Sequence, residues 1–223
     1  MPDFKLPSRY LTLILITVMM LSLLSYLGLV QQLAQNLEFG PFVIPVAVIT
    51  ITLNRFIHIP FRRVQVIHAI PQSPLHGWMI PKRTLYRGQL LIAINVGGIL
   101  LPLIYSVVLF IYFPVSITAL LLIISIVTLS SFLLSRPIPG FGIGLPLFSA
   151  PIITALATHY FADEHLISTA YIAGTIGVML GADVLRLNDI KKIGSSFVSI
   201  GGAGILDSIV LTGFISVILV SFI

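Results

Sequence analysis

The stretch SITALLLIISIVTLSSFLL, from Ser116 to Leu134, contains no charged residue. It is close to the length of about 20 mostly apolar residues that a helix needs to cross a bilayer. The rest of the chain is similar, since 57% of its 223 residues are hydrophobic and only 9% are charged. A soluble domain carries about 25% charged residues. The composition therefore predicts an integral membrane protein.

Six further apolar segments have comparable length and composition. We predict an all-α fold, a polytopic bundle of seven transmembrane helices that forms a single domain over residues 1–223. The predicted spans cover residues 9–30, 41–57, 89–113, 116–134, 141–161, 165–185 and 200–223, each to within a few positions. The longest loop, at about residues 59–88, is expected to lie along the membrane surface as a short amphipathic segment.

The positive charges favour this arrangement. All 12 Lys and Arg residues lie before or at the start of span 1, at the end of span 2 or between spans 2 and 3, between spans 4 and 5, or between spans 6 and 7. In a seven-span chain these segments share one side of the membrane. Because loops rich in Lys and Arg stay in the cytoplasm, the pattern predicts a cytoplasmic N-terminus and a C-terminus outside.

The same residues argue against several other functions. The chain has no cysteine, which excludes disulfides, thiolate metal sites and cysteine nucleophiles. Its histidines lack the spacing of a zinc motif, so we predict no metal site. No cofactor is predicted either. The net charge of +5 is explained by loops that fix the topology, and no nucleic-acid partner is predicted.

Two aspartates at the ends of the last two spans are the candidate catalytic residues. Span 6 ends in Gly181-Ala182-Asp183, and span 7 begins with a glycine cluster that leads to Asp207. Consecutive spans run antiparallel, so both carboxyl groups are expected at a similar depth. Ionisable residues inside a span are costly and mark function by default. Two close carboxyl groups tend to share a proton, which suits activation of a water by one and protonation of a substrate by the other.

Glycines around the aspartates are expected to let backbones approach closely and to break the last helix. The residues predicted to line a substrate cavity are Gly181, Gly201, Gly202, Gly204 and Gly213, and the residues predicted to support the aspartates are Asn95, Gly97 and Gly98. A structural alternative is that Asp183 caps span 6 or pairs with Arg186, and that Asp207 caps the helix after the glycines.

Three segments carry a resemblance to a known family. Ile94–Gly98, Gly181–Asp183 and Gly201–Asp207 resemble a prokaryotic membrane family known as domain of unknown function 1614. The resemblance covers most of the chain from about span 2 onward. It implies a multi-pass protein of the prokaryotic inner membrane, and it implies no activity.

The segment Gly202-Ala203-Gly204-Ile205-Leu206-Asp207 also resembles the Gly-x-Gly-x-Gly-Asp pattern of type IV prepilin peptidases. Presenilin and signal peptide peptidase, which are related intramembrane aspartyl proteases, likewise carry one aspartate on each of two helices. This resemblance implies that Asp183 and Asp207 are the first and second catalytic aspartates. It also implies a membrane-anchored peptide as substrate.

Three functions remain open from the sequence. The first is an intramembrane aspartyl protease that uses the aspartate pair. The second is a transporter or an ion or proton pathway subunit, because transporters also build sites from a glycine-broken helix with an acidic residue. The third is a non-catalytic membrane scaffold or assembly factor. All three have the lipid bilayer as a partner.

Overall fold

The structure is a computed structural model. It describes residues 50, 57–66, 88–138, 142–192, 197–201 and 207–223. All of these residues belong to one compact unit, Ile44–Ile223.

Five α-helices and two π-helical segments form the helical part of the described chain. The α-helices are α1 (Leu101–Tyr112), α2 (Ile117–Leu134), α3 (Ser149–Phe161), α4 (Leu166–Val178) and α5 (Ser208–Phe222). The π-helical segments are Val96–Leu100, which leads into α1, and Met179–Val184, which continues α4. A short 3₁₀ turn follows at Asp189–Lys192. Helix α4 is central, because it packs against α1, α2, α3 and α5.

Five strands form two small sheets. They are β1 (His58–Val66), β2 (Gly88–Asn95), β3 (Arg136–Ile138), β4 (Gly142–Gly144) and β5 (Phe197–Ile200). The larger sheet has the order β1-β2-β5, with β1 antiparallel and β5 parallel to β2, and β3 pairs with β4 alone. Leu90 and Ile92 of β2 are buried against Ile190 from the 3₁₀ turn. The sheet therefore packs on the segment that follows α4.

Small residues explain how closely α2 and α4 approach. Gly177 and Gly181 are four residues apart and face α2, the spacing that lets two helix backbones pack closely. A Cβ at Gly177 would lie 2.7 Å from the Val127 side chain, and one at Gly181 would overlap the Thr128 carbonyl oxygen. Only glycine fits at this contact without moving α2.

The predicted all-α bundle of seven spans is wrong. In the described residues only Ile117–Leu134 and the continuous Leu166–Val184 are long and apolar enough to cross a membrane, and strands are present as well. These two helices coincide with predicted spans 4 and 6. The predicted span 3 begins as β2, span 5 begins with β4 and span 7 contains the 15-residue α5. Spans 1 and 2 lie outside the described residues, apart from residues 50 and 57.

The strand β2 shows why hydropathy alone predicts a transmembrane helix where the structure has a strand. Its eight residues form a short apolar run, and such a run is compatible with a buried strand as well as with part of a helix. Its neighbours on both sides are strands, and a strand with neighbours on both sides and both faces covered has a continuously apolar sequence.

The prediction of a surface loop at residues 59–88 is wrong for the first residues of that segment, because they belong to strand β1. Residues 67–87 lie outside the described part.

At Gly181 we expect a glycine-to-alanine substitution to lower the stability of the protein, which is opposite to its usual effect in a helix. Alanine in a helix is ordinarily more favourable than glycine by about 1 kcal/mol. At Gly181 the added methyl group meets the backbone of Thr128 and lies 2.9 Å from the Ser131 Cβ, and overpacking costs about 1–3 kcal/mol. We therefore expect Gly181→Ala to lower the midpoint of thermal unfolding in detergent.

The control is Ser125→Ala on the exposed face of α2, which gains helix propensity without a clash and is expected to leave the midpoint unchanged or slightly raised. A Gly181→Ala protein as stable as the wild type would show that α2 and α4 do not approach this closely.

Candidate functional site

The two aspartates lie at adjoining ends of α4 and α5. Asp183 is half-buried in the π-helical segment Met179–Val184, and Asp207, 2% exposed, directly precedes α5. The two carboxyl groups are close enough to interact electrostatically. A Cβ at Gly213, further along α5, would contact Tyr171, earlier in α4, so the two helices run antiparallel. The structure therefore brings the two predicted catalytic residues together.

Asp207 is the N-cap of α5. Its Oδ1 accepts a hydrogen bond from the Ile209 backbone N–H at 2.9 Å. This bond satisfies one of the N–H groups that a helix leaves unpaired at its start, and the positive end of the helix favours a carboxylate there. Asp207 therefore caps the helix, as the structural alternative predicts. A capping carboxylate can also take part in catalysis.

Arg186 pairs with Asp189 rather than with Asp183. Its Nη1 lies 2.9 Å from Asp189 Oδ2. Its Nη2 donates to the carbonyl oxygens of Phe132 and Ser135, at 2.7 and 2.9 Å, at the end of α2. The guanidinium also stacks 4.4 Å from the centre of the Phe132 ring. Arg186 therefore ties the segment after Asp183 to the carbonyl end of α2, where a cation is favourable.

Asn95 holds the turn between β2 and α1. Its side chain is fully buried, and its Oδ1 accepts a hydrogen bond from the Gly98 backbone N–H at 2.8 Å. Because the amide oxygen is occupied, the Nδ2 group faces His58 Nδ1, at 3.0 Å, as a donor. The same nitrogen of His58 lies 2.8 Å from the Ser199 hydroxyl, and because a neutral imidazole has one acceptor nitrogen, the Asn95 amide and the Ser199 hydroxyl share a single position on His58.

This network joins all three strands of the larger sheet, because His58 begins β1, Asn95 ends β2 and Ser199 lies in β5. Two residues after Ser199, the chain turns at Gly201 with a φ of +67°. A Cβ at Gly201 would lie 3.0 Å from the carbonyl carbon of Gly98. The turn that follows β5 thus packs against the turn formed by Asn95–Gly98.

The glycines predicted to support the aspartates or line a cavity lie in different parts of the structure. Gly97 and Gly98 are buried in the π-helical segment that begins after Asn95, and this segment also contacts α5. Gly181 faces α2, and Gly213 faces α4 inside the bundle. Gly202 and Gly204 lie outside the described residues. The predicted role of Asn95, Gly97 and Gly98 in supporting the aspartates stays a prediction.

Sequence reasoning missed His58 and Ser199. They are 141 positions apart, and neither lies in a recognisable catalytic motif. Only the pairing of β2 with both β1 and β5 brings them together. Within the described residues, no group of three or more His, Asp or Glu side chains could hold a metal ion.

Comparison with known proteins gives a family. The family model described as "Protein of unknown function (DUF1614)" matches residues 52–219. The chain belongs to this family. The matched DUF1614 region includes Asn95, Asp183 and Asp207, so the candidate site lies inside it. No curated protein and no solved structure matches the chain.

The Asn95 network in this DUF1614 protein can be tested by its energetics. Replacement by Leu, of similar volume, leaves the buried N–H of Gly98 without its acceptor, and a buried unpaired group costs about 1–3 kcal/mol. Ser199→Ala removes one bond while Asn95 still donates to His58, at a cost of about 1 kcal/mol. We expect Asn95→Leu to lower the thermal unfolding midpoint in detergent more than Ser199→Ala does. The reverse order would contradict the role of Asn95 as the acceptor for the buried Gly98 N–H.

Proposed function

We propose that this protein is a membrane-embedded aspartyl endopeptidase, with Asp183 and Asp207 as its catalytic pair and a membrane-anchored peptide as its substrate. The observation that carries the proposal is the placement of Asp183 and Asp207 at the adjoining ends of two packed antiparallel helices, α4 and α5. The order of a glycine-rich segment followed by Asp207 supports it, since that order resembles the pattern of prepilin peptidases.

The exposed surface of α2 supports a place in the membrane. Leu121, Leu129 and Leu133 are 59%, 60% and 65% exposed, and the helix has no charged residue. A water-soluble protein rarely exposes a large apolar patch, whereas lipid tails cover exposed leucines without cost. In this proposal α2 faces lipid and α4, mostly buried, crosses the bilayer inside the bundle of a multi-pass inner-membrane protein.

The two aspartates have environments that suit different roles. Asp207 is held as a carboxylate by the Ile209 N–H and acts as general base on a water molecule. Asp183, which is half-buried and therefore more open to substrate, holds the proton of the pair and donates it to the peptide carbonyl oxygen. Two carboxyl groups that interact strongly divide into one acid and one base in this way.

The reaction then balances without a cofactor. The water oxygen attacks the carbonyl carbon while Asp207 takes the water proton. The tetrahedral intermediate collapses as the C–N bond breaks, and the amine receives the proton held by Asp207. The hydroxyl proton of the intermediate returns to Asp183, which restores the starting pair.

The proposal is tested by cleavage of synthetic single-span peptides, reconstituted with the full-length protein in liposomes and analysed by mass spectrometry. Asp183→Asn and Asp207→Asn preserve shape while removing acid and base function, which contributes about 10²–10⁴-fold to rate. We expect each variant to lose cleavage by at least about a hundredfold.

The matched control is Asp163→Asn, which changes an exposed aspartate in the turn between α3 and α4 and is expected to cleave at the wild-type rate. Wild-type protein that cleaves no peptide of the panel, or cleaves no faster than Asp207→Asn, would reject the protease proposal and favour a non-catalytic scaffold.

A further inference from the structure

A layer of short strands lies at one end of the helix bundle. Ile190 of the 3₁₀ turn is buried against β2, and Ile143 of β4 packs against the same cluster. The turn also contacts β3. We call the five strands and the turn Asp189–Lys192 the strand layer. Because β3 begins two residues after α2, and the turn follows the π-helical extension of α4, the layer lies where α2 and α4 end.

The strand layer presents positive charge. Arg62 and Arg63 of β1 and Arg136 of β3 are exposed, and none of the five described strands contains an acidic residue. The acidic residue of the turn, Asp189, is neutralised by its ion pair with Arg186. Among the described side chains of the layer, the exposed charge is therefore positive.

The opposite end of the bundle carries negative charge. Asp163 and Glu164 are exposed in the turn between α3 and α4, and α4 runs from this turn to the strand layer. Asp183 and Asp207 lie at the other end of α4, where they are half-buried and buried, so they add little to the exposed surface. A basic end and an acidic end suit a bilayer whose cytoplasmic leaflet is anionic.

Strand β1 combines its two arginines with exposed apolar side chains. Ile59 and Phe61 are 50% and 70% exposed, and β1 forms one edge of the described sheet. Phe61 has no partner residue on β2, because the register shifts between Pro60 and Arg62, and a bulge of this kind re-aims a side chain. Surface helices bind membranes through the same combination of apolar side chains at the acyl boundary and cations at the headgroups.

The membrane placement proposed above sets the depth of the strand layer. Helix α2 has 18 residues and rises about 27 Å, close to the bilayer hydrocarbon thickness of about 30 Å. Arg136 lies two residues beyond its end, at the boundary with the headgroups. The larger sheet packs on Ile190, beyond the end of the other long apolar helix, Leu166–Val184. The layer is therefore level with the headgroups.

We propose that the strand layer binds the headgroups of anionic phospholipids through Arg62, Arg63 and Arg136, while Phe61 inserts at the acyl boundary. The planar guanidinium group donates paired hydrogen bonds to phosphate oxygens, and the arginine stem lies along apolar surface while its charged head stays at the headgroups. The position of the layer beside the end of α2 makes lipid the occupant. The inference rests on the proposed membrane placement and does not depend on peptide cleavage.

The first test is titration of the purified full-length protein in neutral detergent with phosphatidylglycerol, phosphatidylcholine or inorganic phosphate. A ligand of the native state raises the thermal unfolding midpoint, and we expect only phosphatidylglycerol to do so. The double variant Arg62→Gln and Arg63→Gln is expected to need at least about tenfold more phosphatidylglycerol for the same shift, because each basic residue near an anionic surface contributes about fivefold.

The matched control is the double variant Arg62→Lys and Arg63→Lys, which keeps both charges and is expected to respond more like the wild type. Since both arginines are exposed, the glutamine variant is expected to unfold at the wild-type midpoint without lipid. An equal shift with phosphatidylcholine, an equal shift with inorganic phosphate, or an unchanged response of the glutamine variant to phosphatidylglycerol would overturn the proposal.

A second measurement locates β1 in the bilayer without changing its arginines. The cysteine-free chain takes a fluorophore at Phe61→Cys, or at Ser125→Cys in the exposed middle of α2. In liposomes, we expect lipids with a headgroup quencher to quench position 61 and lipids with a mid-chain quencher to quench position 125.

The two labelled positions separate the lipid site from the membrane placement. Quenching at position 125 by the mid-chain quencher, without quenching at position 61, would overturn the lipid site and leave the membrane placement of α2 standing. A label at position 125 that the mid-chain quencher does not reach would reject both.

Discussion

The close packing of α4 within the bundle is the constraint on which the rest of the structure depends. Helices in lipid gain little from hydrophobic burial against each other, so they associate through close van der Waals contact between small residues. Gly177 and Gly181 provide this contact with α2, and Gly174 provides it with Thr154 of α3 and Thr212 of α5. With neighbours on several sides, α4 has one position and one rotation, and these fix where its polar side chains lie.

The site follows from this packing. Because α5 runs antiparallel to α4, the end of α4 with Asp183 lies beside the start of α5 with Asp207. The chain between them folds back through β5 onto the sheet, whose β2 strand packs on Ile190. Gly98, which Asn95 holds through its backbone N–H, contacts the turn at Gly201. The helix bundle therefore fixes the positions of the aspartates.

The sequence predicts those parts of the structure that depend on residues close together in the chain. The uncharged run at 116–134 and the run at 165–185 are long enough for apolar composition alone to indicate helices, and both are helical. The adjacency of Asp183 and Asp207 follows from chain order. The strands were missed because β2 is short, apolar and paired on both sides. The His58–Ser199 contact has no local signal, since it depends on strand pairing between distant segments.

Chemical cross-linking in this cysteine-free chain tests most directly whether α4 and α5 bring Asp183 and Asp207 together. Asp183→Cys and Asp207→Cys would be combined, treated with a short bismaleimide in liposomes and analysed by mass spectrometry of the linked peptides. The matched pair would combine Asp183→Cys with Phe222→Cys at the opposite end of α5. We expect efficient linkage of 183 to 207 and none of 183 to 222. Equal linkage of both pairs, or linkage of 183 to 222 alone, would show that the two aspartates do not lie together.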